Sequence, residues 1–246
     1  MELLPAIDLR EGKCVRLIQG NYEQQIDYHD DPAAQAKHFQ EQGAKWLHVV
    51  DLDGARYGKH YNLDVLKEIR AQTQLNIEIG GGIRSEASVK ILLDIGINRV
   101  IVGTKALEEP QWFIKMVDKY PQKIVLGLDA RNGIFLKQGW EESSDLGAPD
   151  IFTHVLDKIK TDKDLAAIVY TDISQDGMLT GPNLEETRVF VQKCQSRFPV
   201  IASGGVGSLE DIRQLAKLPI AGIIVGRALY EGKFTLEEAL KVVAEG

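Results

Sequence analysis

The sequence predicts a single (β/α)8 barrel made of two fused half-barrels, and three observations carry that expectation. The chain has 246 residues, near the roughly 250 usual for such a barrel. Short aliphatic or β-branched runs alternate with longer amphipathic stretches from end to end. Motifs of the first half return in the second at an almost constant offset. Regular alternation implies a parallel sheet, and eight units of this length imply closure. A doubly wound open sheet would place a Gly-x-Gly-x-x-Gly turn after its first strand. Here that strand runs into Asp8-Leu9-Arg10-Glu11-Gly12 instead.

The strand-like runs are residues 3–7, 46–50, 76–79, 99–102, 124–128, 167–170, 200–202 and 221–225. Helix-like segments lie near 32–43, 62–72, 85–95, 109–119, 149–160, 184–196, 208–217 and 235–244. Several carry start signals: Asp31-Pro32, Ser85 before Glu86, and Ser208 followed by Glu210-Asp211. Two long polar loops, 9–31 and 130–148, follow strands one and five. The first contains a hairpin-like stretch from Gly12 to Leu17, and the second an Asn132-Gly133 turn signal. Loops of this kind over an active face are candidate lids.

The repeat divides one domain, 1–246, into halves of approximately 1–122 and 123–246. Gly81-Gly82-Ile83 is echoed by Gly204-Gly205-Val206, and Ile101-Val102-Gly103 by Ile224-Val225-Gly226, both at an offset of 123. Val50-Asp51-Leu52 with Asn62-Leu63 is echoed by Thr171-Asp172-Ile173 with Asn183-Leu184, at 121. Asp8, ending strand one, is echoed by Asp129, ending strand five, again at 121.

The formal charge is −7, which argues against a nucleic-acid or anionic-membrane surface. Cys14 and Cys194 have no metal-ligand spacing, and the five histidines are scattered, so no metal site is expected. The opening Met1–Pro5 stretch lacks a basic n-region, and no apolar run is long enough to span a bilayer. A cytoplasmic chain is the expectation, with no nucleic-acid or membrane partner and a monomer as default.

In this fold the strand C-termini and the loops after them form the active face. Gly80-Gly81-Gly82 leads to Arg84 and a helix, and Gly103-Thr104 follows strand four. Gly204-Gly205 follows strand seven, and Gly226-Arg227 follows strand eight. Glycines there let backbone N–H groups approach an anion at a helix N-terminus; alone, each pair could serve only a tight turn. Two such sites half a barrel apart predict a substrate with a phosphate at each end. Asp8 and Asp129, placed symmetrically between them, can act as base and acid. Asp51 and Asp172 either orient substrate hydroxyls or hold loops, and Asp176, before Gly177, rivals Asp129 as the acid. Thr171 is a strand-end hydroxyl able to support an acid. Trp140 either joins the core or stacks on a heterocycle. If Asp51 points into the barrel mouth, period-2 alternation turns His48 outward unless the strand end twists, so His48 is read as a packed structural histidine with a substrate role as the alternative.

Several stretches resemble the phosphoribosylformimino-aminoimidazole carboxamide ribotide isomerase family of histidine biosynthesis. They are Leu4-Pro5-Ala6-Ile7-Asp8-Leu9, Gly12 to Gly20, Val49 to Ala55, Gly80 to Arg84, Gly139-Trp140, Thr171 through Gly177 to Asn183, and Ala202 to Val206. The resemblance spans the whole chain in order. It implies a cofactor-free Amadori rearrangement of an aminoaldose ribotide to its aminoketose, on a small bisphosphorylated substrate. By resemblance, Asp8 removes the C2′ proton, Asp129 protonates the furanose ring oxygen and Thr171 assists. Gly20, Asp51, Gly81, Gly82, Arg84, Gly103, Thr104, Trp140, Asp176, Gly177, Gly204, Gly205, Gly226 and Arg227 are the expected substrate- and phosphate-binding residues. The chain departs from the family pattern at Arg56-Tyr57-Gly58-Lys59-His60, Gln175 and Met178. The sister cyclase of the same pathway typically opens with Cys-x-Asp, whereas this chain has Ala6-Ile7-Asp8. Other readings are a dual-substrate isomerase that also takes phosphoribosyl anthranilate, and a non-catalytic phosphometabolite-binding barrel.

Overall fold

In the computed structural model, the described residues are 1–18, 21–59, 61–131, 134–137, 142–147, 154–160, 164–194 and 197–245. Eight strands close into an all-parallel barrel. They are β1 (Glu2–Arg10), β2 (Trp46–Asp51), β3 (Asn76–Gly80), β4 (Arg99–Val102), β5 (Ile124–Arg131), β6 (Ala167–Asp172), β7 (Val200–Ser203) and β8 (Gly222–Val225). Each pairs with its sequence neighbours, and β8 pairs with β1 to close the ring.

The outer helices follow from amphipathic periodicity and local caps. Pro110–Lys119 buries Phe113, Ile114, Met116 and Val117 on one face. Asp31 caps Pro32–Glu41 by accepting from the Ala34 N–H, and Ser85 caps Glu86–Asp94 by accepting from the Ser88 N–H. Ser208 opens Leu209–Ala216 in a reciprocal capping box with Asp211. In the expected helix 149–160, residues 154–160 are described and hold a 3-10 turn at Leu156–Lys158. Three short helices on the active face, Leu52–Tyr57, Thr104–Glu108 and Arg227–Tyr230, went unforeseen because a turn or so of helix carries too little periodicity to read.

Apolar packing falls into two shells. A large cluster lies between strands and helices and includes Leu3, Ile7, Leu9, Val49, Ile77 and Val102. A small one fills the barrel interior with Leu4, Ala6, Val125, Ala167, Val169, Ile201 and Ile224, against which Trp46 and Ile101 pack.

Strands one and five run past the aspartates expected to end them. β1 continues to Arg10 because Asp8, Leu9 and Arg10 pair antiparallel with Val15, Cys14 and Lys13 of a hairpin (Lys13–Ile18 and Asn21–His29). β5 continues to Arg131 because Ala130 and Arg131 pair with Phe135 and Ile134 of a second hairpin (Ile134–Lys137 and Glu142–Gly147). Tyr28 pins the first hairpin, stacking on Tyr230 at 4.4 Å between centroids, while the Tyr230 hydroxyl donates to the Ala6 carbonyl at 3.0 Å. Asn132 and Gly133, the expected turn of the second hairpin, lie outside the described residues.

Candidate active site

Strand register decides which side chains reach the barrel mouth, because residues level with one another on paired strands share a face. Ala6, in the interior cluster, is level with His48, which is level with Glu78, which is level with Arg99. All four therefore face inward. Leu9, in the outer cluster, is level with Asp51. Asp51 therefore faces outward, and the phase expected for β2 is reversed: His48 lines the cavity and Asp51 does not. Asp51 is completely buried and serves the loop, accepting from the Gly54 N–H at 2.9 Å and Asn62 Nδ2 at 2.7 Å. Asp172 does the same in the second half, with Ser174 and Asn183. Of the two roles open for these aspartates, the loop-holding one matches their placement.

A cavity of about 290 Å3 opens at the C-terminal ends of the strands, a volume at the lower end for a small-molecule site. Asp8, Asp129, Thr171, Asp176 and Gly177 line it, as do Gly81, Gly82, Arg84, Gly103, Thr104, Gly204, Gly205, Gly226 and Arg227. Gly20 and Trp140 lie outside the described residues. Arg16, Tyr22, Lys105 and Ser203 also line the cavity and were missed as site residues, and His48, whose alternative reading is a substrate role, lines it too. For Ser203 a signal existed, since it precedes the Gly204-Gly205 turn at a strand end.

The glycine turns recur across the barrel. Gly81 and Gly82 have φ of 107° and 71°, and Gly204 and Gly205 have 99° and 85°. Only glycine takes such angles freely. A Cβ on Gly81 would meet the Asp51 carbonyl oxygen at 2.1 Å, and one on Gly204 the Asp172 carbonyl oxygen at 2.6 Å. Gly103 and Gly226 share a second unusual backbone, φ −100°, ψ −102° and φ −110°, ψ −98°. The result is two backbone-lined corners able to take anions, with Arg84 beside one and Arg227 beside the other.

Between the corners lie the carboxylates. The hairpin lays Arg16 across the mouth, where it donates to Asp8 Oδ2 at 2.9 Å and to Asp176. Burial raises the Asp8 pKa above its usual value; Arg16 pulls it back, and the negative charge of Asp176 pushes it up again. Thr171 on β6 is level with Asp129 on β5 and with Ser203 on β7, so the three point together into the mouth. Below them, His48 Nδ1 lies 2.7 Å from Glu78 Oε1, and Glu78 Oε2 accepts from Arg99 Nε at 2.8 Å. Burial pushes the Glu78 carboxyl up, but His48 and Arg99 outweigh it and hold the group below its ordinary value. Cys14 is buried, and loss of hydration drives its thiol pKa up to about 12, so it offers no thiolate. Among the described residues, no group of three or more His, Cys, Asp or Glu side chains is placed to hold a metal ion, and no helix is long and apolar enough to cross a membrane. Such a site can hold an anion at each end of a small molecule and exchange protons with its middle.

Known proteins are similar to this chain over nearly its whole length. A protein from Thermodesulfovibrio yellowstonii is 46% identical over 244 residues, covering 99% of this chain and 97% of its own length. One from Prochlorococcus marinus is 49% identical over 246 residues, covering 99% and 94%, and one from Rhodopirellula baltica is 46% identical over 246 residues, covering 100% and 95%. Each is named 1-(5-phosphoribosyl)-5-((5-phosphoribosylamino)methylideneamino)imidazole-4-carboxamide isomerase. The family model described as histidine biosynthesis protein matches residues 2–235, and the chain belongs to that family.

Proposed function

We propose that this chain is the isomerase its relatives are named for, opening the aminoaldose ribose of a bisphosphorylated ribotide and rearranging it to the aminoketose. The observation that carries the reading is the placement of Asp8 and Asp129 in one cavity with glycine corners at Gly81–Gly82 and Gly204–Gly205. Each corner binds one phosphate through backbone N–H groups, and Arg84 and Arg227 add charge. This fixes the reacting ribose against the aspartates.

The reaction needs a proton given to the furanose ring oxygen, which opens the ring to a Schiff base. It also needs a proton removed from C2′, which yields the enamine that tautomerises to the ketose. Asp8 is the base: burial raises its proton affinity toward working pH, where a general base is most effective. Asp129 is the acid, with Thr171 beside it in register. A second reading makes Asp176 the acid, because Arg16 ties that carboxylate to Asp8 across the mouth. Comparing Asp129→Asn with Asp176→Asn in single-turnover ring opening separates the two.

The defining experiment is an isomerase assay on the purified protein, with no glutaminase or ammonia added. The aminoaldose ribotide and phosphoribosyl anthranilate are offered separately. Turnover of the first supports the reading, and turnover of both makes the chain a dual-substrate isomerase. Binding without turnover of either returns it to a phosphometabolite-binding barrel.

A further inference from the structure

Beneath the cavity, one side of the barrel interior is ionic. Glu78 is completely buried between His48 and Arg99, and the Arg99 guanidinium lies 3.8 Å over the centre of the Trp46 ring. The residues at the matching offsets in the second half are Val169 for His48, Ile201 for Glu78, Gly222 for Arg99 and Ala167 for Trp46. That half has apolar residues or glycine at the same positions and still closes its strands, so the fold does not require the ions there. Taking such charges out of water is costly, and apolar replacements of buried ion pairs are often neutral or stabilising. A column retained at that cost calls for another use.

The hydrogen bonds indicate one. A carboxylate can only accept, and Glu78 is held ionised by its bonds to His48 and Arg99, so the proton of the short contact sits on His48 Nδ1. Arg99 occupies the other carboxylate oxygen and prevents Glu78 from turning away. With the Nδ1 edge bound below, the Nε2 edge is left to the cavity, which His48 lines together with Asp8. We propose that Glu78 is a positioning residue that, braced by Arg99, locks the His48 ring with Nδ1 protonated and presents Nε2 to the reacting centre beside Asp8. The use of that ring in turnover rests on the isomerase reading above; its orientation by Glu78 does not.

The test takes the full chain as wild type, Glu78→Gln and the double variant Glu78→Leu/Arg99→Met. The double variant removes both buried charges together, so it retains a packed barrel if the single change does not. Long-range 1H–15N NMR of the His48 ring reads the tautomer, assigned with His48→Gln, and kinetics read kcat and KM against pH. The charged groups around His48 are Glu78 on β3, bonded to its ring and to Arg99 on β4, and Asp8 on β1, Arg16 on the hairpin and Asp176 after β6, which line the same cavity. The expected result is a single Nδ1–H form in the wild type and a tautomer mixture in both variants. With it, kcat should fall by about tenfold or more, KM should stay within about threefold, and the pH profile should shift. A wild-type ring protonated at Nε2 overturns the proposal. So does an unchanged tautomer in a folded variant, or wild-type kcat in the presence of a tautomer mixture. A wild-type protein without isomerase activity refutes the functional reading instead, and the NMR result still decides whether Glu78 orients the ring.

Discussion

The two halves of this barrel agree in their turns and disagree in their interior. After β3 and β7 the chain makes the same pair of left-handed glycines, each followed by a helix, capped by Ser85 in one half and Ser208 in the other. After β2 and β6 an aspartate turns outward to hold a loop through an asparagine eleven positions on, Asn62 and Asn183. Inside, the first half carries Trp46, His48, Glu78 and Arg99, where the second has Ala167, Val169, Ile201 and Gly222. The shared turns suit a substrate with similar ends. The unequal interior gives Asp8 and Asp129 unequal surroundings, which an acid–base pair needs if one member is to hold a proton while the other lacks it.

The largest expected effect tests whether the two aspartates differ. Asp8→Asn and Asp129→Asn should each lower kcat by about a hundredfold or more, with KM within about tenfold. Because burial raises Asp8, the acid limb of kcat/KM should lie above the ordinary aspartate value of about 3.9, with activity lost as pH falls through it. Near-wild-type turnover in either variant removes that residue from the pair.

Next comes the ionic interior. Arg99→Met leaves Glu78 without half of its support and should cost about 3 kcal/mol in denaturant unfolding, most of it recovered in Glu78→Leu/Arg99→Met. The pH dependence has a definite sign. With its folded value depressed, Glu78 adds stability above its ordinary value of about 4.3, and that stability is lost as pH falls through the lower folded value. The double variant should lack this component of acid unfolding, and an unchanged acid profile would falsify the assignment.

The turns should rank by the closeness of the backbone they face. Gly81→Ala meets a carbonyl oxygen at 2.1 Å and Gly204→Ala at 2.6 Å. Both should destabilise, by about 1–3 kcal/mol, with Gly81→Ala the worse. Equal losses would mean that the left-handed φ, not the contact, sets the cost.

The smallest effect separates the loop aspartates. Both carboxylate oxygens of Asp172 are bonded, whereas Oδ2 of the buried Asp51 has no hydrogen-bond partner. Asp172→Asn should therefore cost about 1–2 kcal/mol, and Asp51→Asn less. The reverse order in thermal unfolding would show that the Asp51 charge has a use its hydrogen bonds do not reveal.

Most of what could be read before the structure was written in short stretches of chain. The caps at Asp31, Ser85 and Ser208, the glycine pairs and the alternation of strand and helix depend on neighbours within a few residues. The place of Asp8 and Asp129 was legible because the half-length offset ties each to a strand end, although hairpin pairing carries both strands two residues further. The face of His48 is not legible in the sequence, because alternation supplies a period but no origin. The polar character of Asp51 suggests a mouth residue, whereas the structure turns Asp51 outward and His48 inward.

Local sequence thus settled the order of the eight barrel strands and the sharp turns, because propensity and glycine conformation act between near neighbours. Packing across the barrel decided the rest. The Ala6–His48–Glu78–Arg99 register chose which face of β2 looks inward, and closure brought Glu78 between His48 and Arg99. Docking of the hairpin on Tyr230 set Arg16 between Asp8 and Asp176, the latter 160 positions along the chain from Arg16. Such contacts depend on strand phase and closure, and no local stretch of chain encodes either.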